Sequence, residues 1–191
     1  MREPVAWGER EFLPLADSPR WCRGPRGLDN RAVKLSAKVD YAIRAALELA
    51  AAEPHAVTAE AVARAQGIPY AFLENIFADL RRAGLVQSQR GAHGGYRLAR
   101  SAEEITVADV MRVELGHLVE IHGERPEDLD YPEAAASMRE VWVAVRASMR
   151  AVLDEVSLAE VVAGEFPPTV RRLLGSAGAW QAEYWSPTAE P

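Results

Sequence analysis

Arginines are concentrated in one short stretch of this sequence. Between Leu80 and Arg100 there is no carboxylate, and there are five arginines: Arg81, Arg82, Arg90, Arg97 and Arg100. Guanidinium groups bind phosphate oxygens in a fixed fork geometry, so this basic stripe is suited to a polyanion. A solvated face without a ligand is the alternative.

The charge of the whole chain points the other way, because its net charge is −6. Residues 34–100 hold nine basic and six acidic residues, whereas residues 101–163 hold five and fourteen. Salt screens exposed charges that lie further apart than ~8–10 Å. A basic stripe can therefore bind phosphates although the protein as a whole is acidic.

Several other kinds of chemistry are excluded by composition. Cys22 is the only cysteine, so one chain cannot form a disulfide, or a zinc or iron–sulfur site built from several cysteines. The serines lack a histidine at catalytic spacing, and no phosphate-cradling loop follows a parallel strand, so we expect no enzyme. With 49% hydrophobic residues, no run of ~20 apolar residues and no secretory signal, we expect a soluble cytoplasmic protein.

Three helices are predicted to position the basic stripe. The first is marked by an apolar stripe that ends near residues 53–54 and comprises Leu35, Val39, Ala42, Ile43, Ala46, Leu49 and Ala50. Thr58 is the expected N-cap of a short second helix, with Val62 and Ala65 buried. The third follows a turn at residues 67–69 and ends at Gly84, with four inward residues: Leu73, Ile76, Phe77 and Leu80. This order is typical of a helix-turn-helix.

A glycine-rich hairpin follows the third helix. Residues 85–89 and 96–99 read as two short strands, and residues 90–95 between them contain three glycines. Glycines permit positive φ angles and a close approach of the backbone to a partner. The hairpin therefore predicts a wing with a basic, flexible tip.

The acidic second half predicts a helix that needs a partner. A short helix around residues 106–114 and an irregular acidic stretch to Glu133 precede a long helix over residues 134–155. Its apolar residues are spaced alternately four and three apart: Met138, Trp142, Val145, Met149, Val152 and Val156. We call these six residues the heptad seam. Their spacing favours pairing with a second copy of the chain, and folding back onto the same chain is the alternative.

The two ends of the chain carry no regular pattern. Residues 1–33 read as a mostly disordered extension, and Val33 would serve as a start site if that extension is not part of the native protein. The tail, residues 164–191, is expected to be loosely ordered, and its aromatic residues have no assigned role.

These motifs closely resemble the Rrf2 family of bacterial transcription regulators, which includes the IscR, NsrR and CymR types. Residues 34–42 are similar to the family's first helix, and residues 157–162 to the end of its dimer helix. The remaining matches fall in the third helix and the wing: GIPYAFLENIF (67–77), LRRAGLV (80–86), RG (90–91) and GGYRLA (94–99). The resemblance covers residues 33–163.

The resemblance implies a mainly α fold with a small β-hairpin wing. Residues 34–100 would form the winged helix-turn-helix domain, and residues 101–163 a sensor loop and dimerisation helix. The family implies a homodimer that binds a palindromic DNA operator, and we expect a repressor. The alternative is a protein-interaction module that docks a partner through its acidic loop without binding DNA.

Residue roles follow from the matched positions. Ser36, Lys38 and Tyr41 match phosphate contacts, Arg90 matches an arginine that reaches DNA, and Glu74 matches an acidic residue that reads bases. The expected DNA-binding set is Ser36, Lys38, Tyr41, Thr58, Tyr70, Ala71, Glu74, Arg81, Arg90, Gly91, His93 and Arg97. Ordinary surface or capping roles are the alternative for Ser36, Lys38, Tyr41, Thr58, Glu74 and Arg90. Phe72, Phe77 and Trp142 are expected in the core or in the heptad seam.

The family's sensor is not recognisable in this sequence. Many members hold an iron–sulfur cluster through cysteines before the dimer helix, but residues 114–133 contain none. We therefore expect no cofactor and no metal, and a metal site built from the histidines and carboxylates of this segment is the alternative. An effector, either a small molecule or a partner protein, is left open, and so is its absence.

Overall fold

The structure is a computed structural model that describes residues 35–91, 94–121 and 123–180. Three helices come first: α1 (Ala37–Ala51), α2 (Ala59–Gln66) and α3 (Tyr70–Arg82). The side chain of Ser36 caps α1, and that of Thr58 caps α2 as predicted. Gly67 ends α2 at a φ of 62°, a left-handed conformation that glycine adopts without strain. The three helices therefore begin and end close to where the sequence places them.

The apolar face of α3 forms the centre of the core. Leu73, Ile76, Phe77 and Leu80 are fully buried, which confirms the predicted inward face. Spacings of three and four residues place these side chains on one side of the helix, where they meet α1 and α2. The opposite side of α3 is thereby left to solvent.

Three apolar residues lie outside the core, contrary to prediction. Leu35 precedes α1 and is 52% exposed, because the helix begins only at Ala37. Ala65 is exposed on α2, where Ala59 joins Val62 on the buried face instead. Phe72 is also 52% exposed, because one residue before Leu73 the helix already faces away from the core centre.

The wing is an antiparallel pair of strands fixed to the helices. Strand β1 (Val86–Gln89) pairs with β2 (Gly95–Leu98), with Val86 opposite Leu98. Tyr96 exchanges two backbone hydrogen bonds with Val57, at 2.8 and 2.9 Å, and its ring stacks on Phe77 with centroids 4.2 Å apart. The base of the wing is thus fixed to the start of α2 and to α3.

Two later helices belong to the same core as the helix-turn-helix. Helices α4 (Val107–Leu115) and α6 (Leu158–Ala163) both contact α1, and each begins with a capping box, Thr106 with Asp109 and Ser157 with Glu160. Ala102, Ile105, Val110 and Leu158 are buried in one cluster with α1 and α3. A division of the chain at residue 100 therefore cuts through this core.

Helix α5 (Met138–Leu153) is shorter than the predicted helix over residues 134–155. Val156 lies beyond its end and is buried in the fold, so the prediction that Val156 continues the heptad seam is wrong. Residues 157–162, expected to end the dimer helix, form the N-cap and most of the separate α6, because the Ser157 capping box starts a new helix.

The rest of the seam is divided between the chain's own contacts and solvent. Met138, Trp142, Met149 and Val152 are half-buried, and Trp142 donates a hydrogen bond to the Tyr131 hydroxyl. Helix α5 contacts the 3-10 turn at Pro126–Asp128, α4 and α7 (Pro168–Leu174). The same helix therefore folds against its own chain along one side and is open along the other.

The tail that was expected to be loosely ordered contains α7, and Trp180 is 79% exposed. Residues 1–33, Tyr184 and Trp185 lie outside the described residues. Among the residues described, none of the helices combines the length and apolar character needed to cross a lipid bilayer.

Candidate nucleic-acid interface

The first turn of α3 presents mixed chemistry to solvent. Tyr70, Ala71, Phe72 and Glu74 are all exposed, and the N-cap Pro69 gives the helix no side-chain hydrogen bond. Lost hydration, followed by the negative charge of Glu60 and Glu74, raises the pKa of the Tyr70 hydroxyl. Donors, acceptors and apolar groups thus lie together where a recognition helix meets base edges.

The predicted basic stripe is exposed on α3 and the wing. Arg81 lies near the end of α3, Arg90 at the wing tip beside Gly91, and Arg97 in β2. In the described parts of the chain, none of these three arginines pairs with a carboxylate, whereas Arg82 pairs with Asp79. The three guanidinium groups are thus available to an external anion. The predicted residue His93 lies outside the described residues.

The polar residues at the start of α1 and α2 already have partners within the chain. The Ser36 hydroxyl accepts from the Val39 amide at 3.3 Å, and the Thr58 hydroxyl accepts from the Ala61 amide at 3.2 Å. Both therefore cap helices, the alternative considered for Thr58. Tyr41 is half-buried, with its ring edge-on to Phe72 at 6.1 Å. Their phosphate contacts stay predictions.

Lys38 is held between two carboxylates. Its ammonium lies 2.7 Å from Asp79 on α3 and 2.7 Å from Glu114 near the end of α4. The hydrogen bond to Asp79 and then the close ion pair with Glu114 raise the pKa of Lys38, and the same Lys38–Asp79 hydrogen bond lowers the pKa of Asp79. In this structure the Lys38 charge joins α1, α3 and α4, and its predicted phosphate contact stays a prediction.

Glu114 is the most deeply buried charged group of this cluster. Its side chain is 1% exposed, and neither carboxylate oxygen has a hydrogen bond of good geometry within the described residues. The Lys38 ammonium is the counterion that this carboxylate has there. A buried carboxylate is stable only when such a counterion compensates it, so Lys38 has a structural role whatever else it binds.

The segment between α4 and α5 is acidic, but several of its carboxylates are paired. Asp128 accepts from Arg125 at 2.6 Å, and Glu127 accepts from Arg146 on α5. A cleft of about 520 Å³ lies beside these pairs and is lined by Arg112, Gly116, His117, Leu118, Arg125, Glu127, Arg146, Arg150 and Asp154. This pairing reduces the acidic surface on which a partner-docking role would depend.

The donor set does not fit an iron–sulfur cluster. Residues 114–133 contain no cysteine, and Cys22 lies outside the described residues. Within the described ranges, no group of three or more His, Cys, Asp or Glu side chains is arranged to hold a metal ion. Iron–sulfur clusters are held mainly by thiolates, which these residues do not supply.

The sequence predicted the exposed arginines, but it missed the exposure of Phe72 and the ion pairs that Asp79 and Glu114 form with Lys38. The exposure of Phe72 depends on how α3 rotates against α1, and the Lys38 cluster joins residues far apart in sequence. Neither feature has a local sequence signal. Gly116, two residues after Glu114, signals only that a helix ends nearby.

Comparison with known proteins identifies the same architecture. The profile of the Rrf2 family, described as iron-dependent transcriptional regulators, matches residues 35–164. Rv1287 of Mycobacterium tuberculosis, named as an HTH-type transcriptional regulator, is 44% identical over 142 residues, which cover 74% of this chain and 88% of the relative.

Two solved structures are similar in fold as well as sequence. CymR, the global cysteine regulator of B. subtilis, superposes with a TM-score of 0.59 at 32% identity, covering 70% of this chain and 98% of CymR. IscR of T. potens gives a TM-score of 0.57 at 34% identity, covering 70% and 88% of the two chains. These relatives are transcriptional regulators and not enzymes. The chain is therefore a winged helix-turn-helix transcriptional regulator of the Rrf2 family.

Proposed function

We propose that this protein is a cytoplasmic repressor that binds a palindromic DNA operator as a homodimer, with α3 in the major groove and the wing along the flanking backbone. The observation that carries the proposal is the exposure of Arg81, Arg90 and Arg97 without a carboxylate partner in the described residues. On a chain with a net charge of −6, such unpaired cations are suited to a phosphate backbone.

The wing supports this proposal through its attachment. Two backbone hydrogen bonds to Val57 and the stacking of Tyr96 on Phe77 hold the base of the hairpin against α2 and α3. Arg90 and α3 are therefore carried by one packed unit and can contact the same DNA duplex. The arginines supply affinity, because contacts to phosphates carry little sequence information.

Sequence discrimination falls to the first turn of α3. A carboxylate near DNA is electrostatically unfavourable unless it accepts from a base amine, so we assign Glu74 to the amine of a cytosine. The family often has serine at the positions of Pro69 and Ala71. The replacements remove two hydroxyl groups, and we expect an operator preference that differs from that of serine-containing members.

Helix α5 supports dimer formation. It contains a tryptophan, two methionines and four valines, yet none of its residues is buried. Val141 is 48% exposed and Val145 is 39% exposed, and their spacing of four places them on one face of the helix. A second copy of α5 would cover this face, and a two-fold dimer would place two recognition helices on half-sites about one helical turn apart.

The test is direct binding to DNA from the protein's own promoter region, with the full chain and several salt concentrations. A specific complex should weaken steeply with salt, with a slope of about −0.9 in log–log form for each phosphate contact. Arg90→Ala should weaken binding by ~1–3 kcal/mol and make the slope shallower. Arg171→Ala, which removes an exposed arginine from α7, is the matched control and should bind like the wild type.

Two results would contradict specific DNA binding. In one, the protein binds no duplex at any salt concentration. In the other, it binds every duplex equally at all salt concentrations, and Arg90→Ala binds like the wild type. Repression is tested separately with a reporter gene behind the bound promoter. Expression should fall when the wild type is supplied and should recover with Arg90→Ala. Activation of the reporter by the wild type would contradict the repressor assignment while leaving DNA binding intact.

A further inference from the structure

Phe72 is an apolar side chain placed in the polar face of α3. Its ring is 52% exposed, while the four other large apolar residues in the middle of the helix are fully buried. It is the third residue of α3, directly after the exposed Ala71. Exposing a phenyl ring loses the free energy that its burial would provide, so the fold itself gives little reason for this residue type.

The neighbours of Phe72 fix the direction of its exposed surface. One side of the ring is met edge-on by Tyr41 of α1, with centroids 6.1 Å apart and planes at 72°. Tyr41 is in turn flanked by the Arg44 guanidinium, 5.8 Å from the ring centroid. The Tyr41 contact restricts the ring on the α1 side and leaves its other side open beside Ala71.

We propose that Phe72, together with the methyl group of Ala71, reads the C5-methyl group of a thymine in each half-site of the operator. This inference rests on the proposed DNA-binding function and adds the chemical identity of one base that is read. The thymine methyl is the characteristic apolar group of the major-groove edge, and phenylalanine and alanine are among the side chains that contact it.

The position on α3 agrees with this role. Residues in the first turn of a recognition helix contact base edges, whereas later residues move away toward the backbone. Glu74, two residues further along α3, is also exposed and supplies a charged acceptor for another base. Phe72 and Glu74 would then read different bases of the half-site by unlike chemistry, one apolar and one polar.

The experiment begins with selection of an operator from random duplexes by the full chain. Each thymine of the selected half-site is then replaced by deoxyuridine, which removes only the methyl group and preserves base pairing. For the wild type, one thymine per half-site should be sensitive, with Kd rising about four-fold for each methyl-sized apolar group removed. Replacement in both half-sites should raise Kd about 15-fold.

Protein variants test whether the sensitivity to the thymine methyl group depends on the Phe72 ring. Phe72→Ala should bring the Kd values for the thymine and deoxyuridine duplexes close together, because only the Ala71 methyl group still contacts the thymine. Phe72→Leu should retain more of the difference. Arg81→Ala is the control: it should weaken binding to both duplexes and leave the ratio of their Kd values unchanged. Thermal melting of Phe72→Ala checks that the half-exposed ring was not needed for folding.

Three results would overturn the inference: no thymine is sensitive to loss of its methyl group, Phe72→Ala keeps the wild-type ratio, or Arg81→Ala abolishes the ratio as well. A wild-type protein that selects no DNA contradicts the proposed function itself, and that result appears at the selection step. If Phe72 instead covers another part of this chain, Phe72→Ala will lower the melting temperature and keep the ratio.

Discussion

Replacement of Lys38 by methionine tests the electrostatic cluster that joins three helices. Lys38→Met keeps an unbranched side chain of similar length but removes the charge between Asp79 and Glu114. Since one oxygen of each carboxylate lies 2.7 Å from the same nitrogen, the two oxygens are no more than twice that distance apart. Without the ammonium, two negative groups face each other, one of them almost fully buried.

The loss of unfolding free energy caused by Lys38→Met should lie between two known limits. Removing one partner of a buried ion pair destabilises a protein by ~3–5 kcal/mol, whereas exposed pairs contribute ~0.2–1 kcal/mol. The side chains here are 43%, 19% and 1% exposed for Lys38, Asp79 and Glu114. Because solvent reaches the lysine, we expect Lys38→Met to lower the free energy of unfolding by about 2 kcal/mol.

A double-mutant cycle separates this charge effect from lost packing. In the Glu114→Gln background the buried carboxylate is already neutral, so Lys38→Met should cost only about half as much as in the wild type. Arg139→Met is the control. It removes an exposed ion pair with Glu140 on α5 that does not involve Lys38, and it should leave the unfolding midpoint unchanged. Urea unfolding at fixed protein concentration and neutral pH measures all of these variants.

The same cluster predicts a dependence on pH. The pKa of Asp79 is lowered in the folded state, so its stabilising contribution is present at neutral pH and is lost as pH falls below the ordinary aspartate value of about 4. The pKa of Lys38 is raised, so its contribution is lost only in strong base. The penalty of Lys38→Met should therefore shrink in acid. A penalty below about 0.5 kcal/mol at neutral pH, or one that Glu114→Gln does not change, would refute the reasoning.

Three further outcomes follow from the wing, the open face of α5 and the core. A Cβ on Gly95 would lie 2.5 Å from the Val57 carbonyl oxygen, whereas one on Gly91 would meet nothing within 4 Å. Gly95→Ala should therefore destabilise by ~1–3 kcal/mol more than Gly91→Ala in urea unfolding. Val145→Asp should convert the dimer to monomer in sedimentation experiments, while retention of the dimer would count against the α5 interface. Phe77→Ala should lower the free energy of unfolding by ~3–5 kcal/mol, and a smaller loss would show that the Tyr96 stack is not tightly packed.

Local sequence rules predicted the parts of the fold that depend on neighbouring residues. The buried face of α3 follows from its three- and four-residue spacing, and Thr58 caps α2 because its hydroxyl reaches the amide of Ala61. The hairpin follows from two short strands around a glycine-rich tip. The order of these elements, which was also predicted from the residues, is confirmed by the structure, and the fold is similar to that of CymR.

The end of α5 was readable in the sequence but was predicted incorrectly. The apolar spacing continues through Val156, which favoured one long helix, but Ser157 and Glu160 form the S-x-x-E signature of a new N-terminus. The capping box separates α5 from α6, because its side chains accept hydrogen bonds from backbone amides that would bond to carbonyls of the preceding turn in a continuous helix. Val156 then turns into the core instead of pointing to a partner.

Neither the exposure of Phe72 nor the ion-pair cluster around Lys38 could be predicted from neighbouring residues in the sequence. Whether residue 72 is buried depends on the angle at which α1 crosses α3, and the sequence of α3 alone does not determine it. Lys38, Asp79 and Glu114 are separated by more than thirty residues each and meet only after α4 packs on α1. Their pairing is a consequence of tertiary packing.

Sedimentation velocity of the full chain with its selected operator tests the central claim most directly. The free protein should sediment as a dimer, and one duplex with two half-sites should bind two chains, while Val145→Asp should no longer fill both half-sites together. A protein that sediments as a monomer and leaves the duplex unbound would contradict the account of a paired, DNA-reading winged helix.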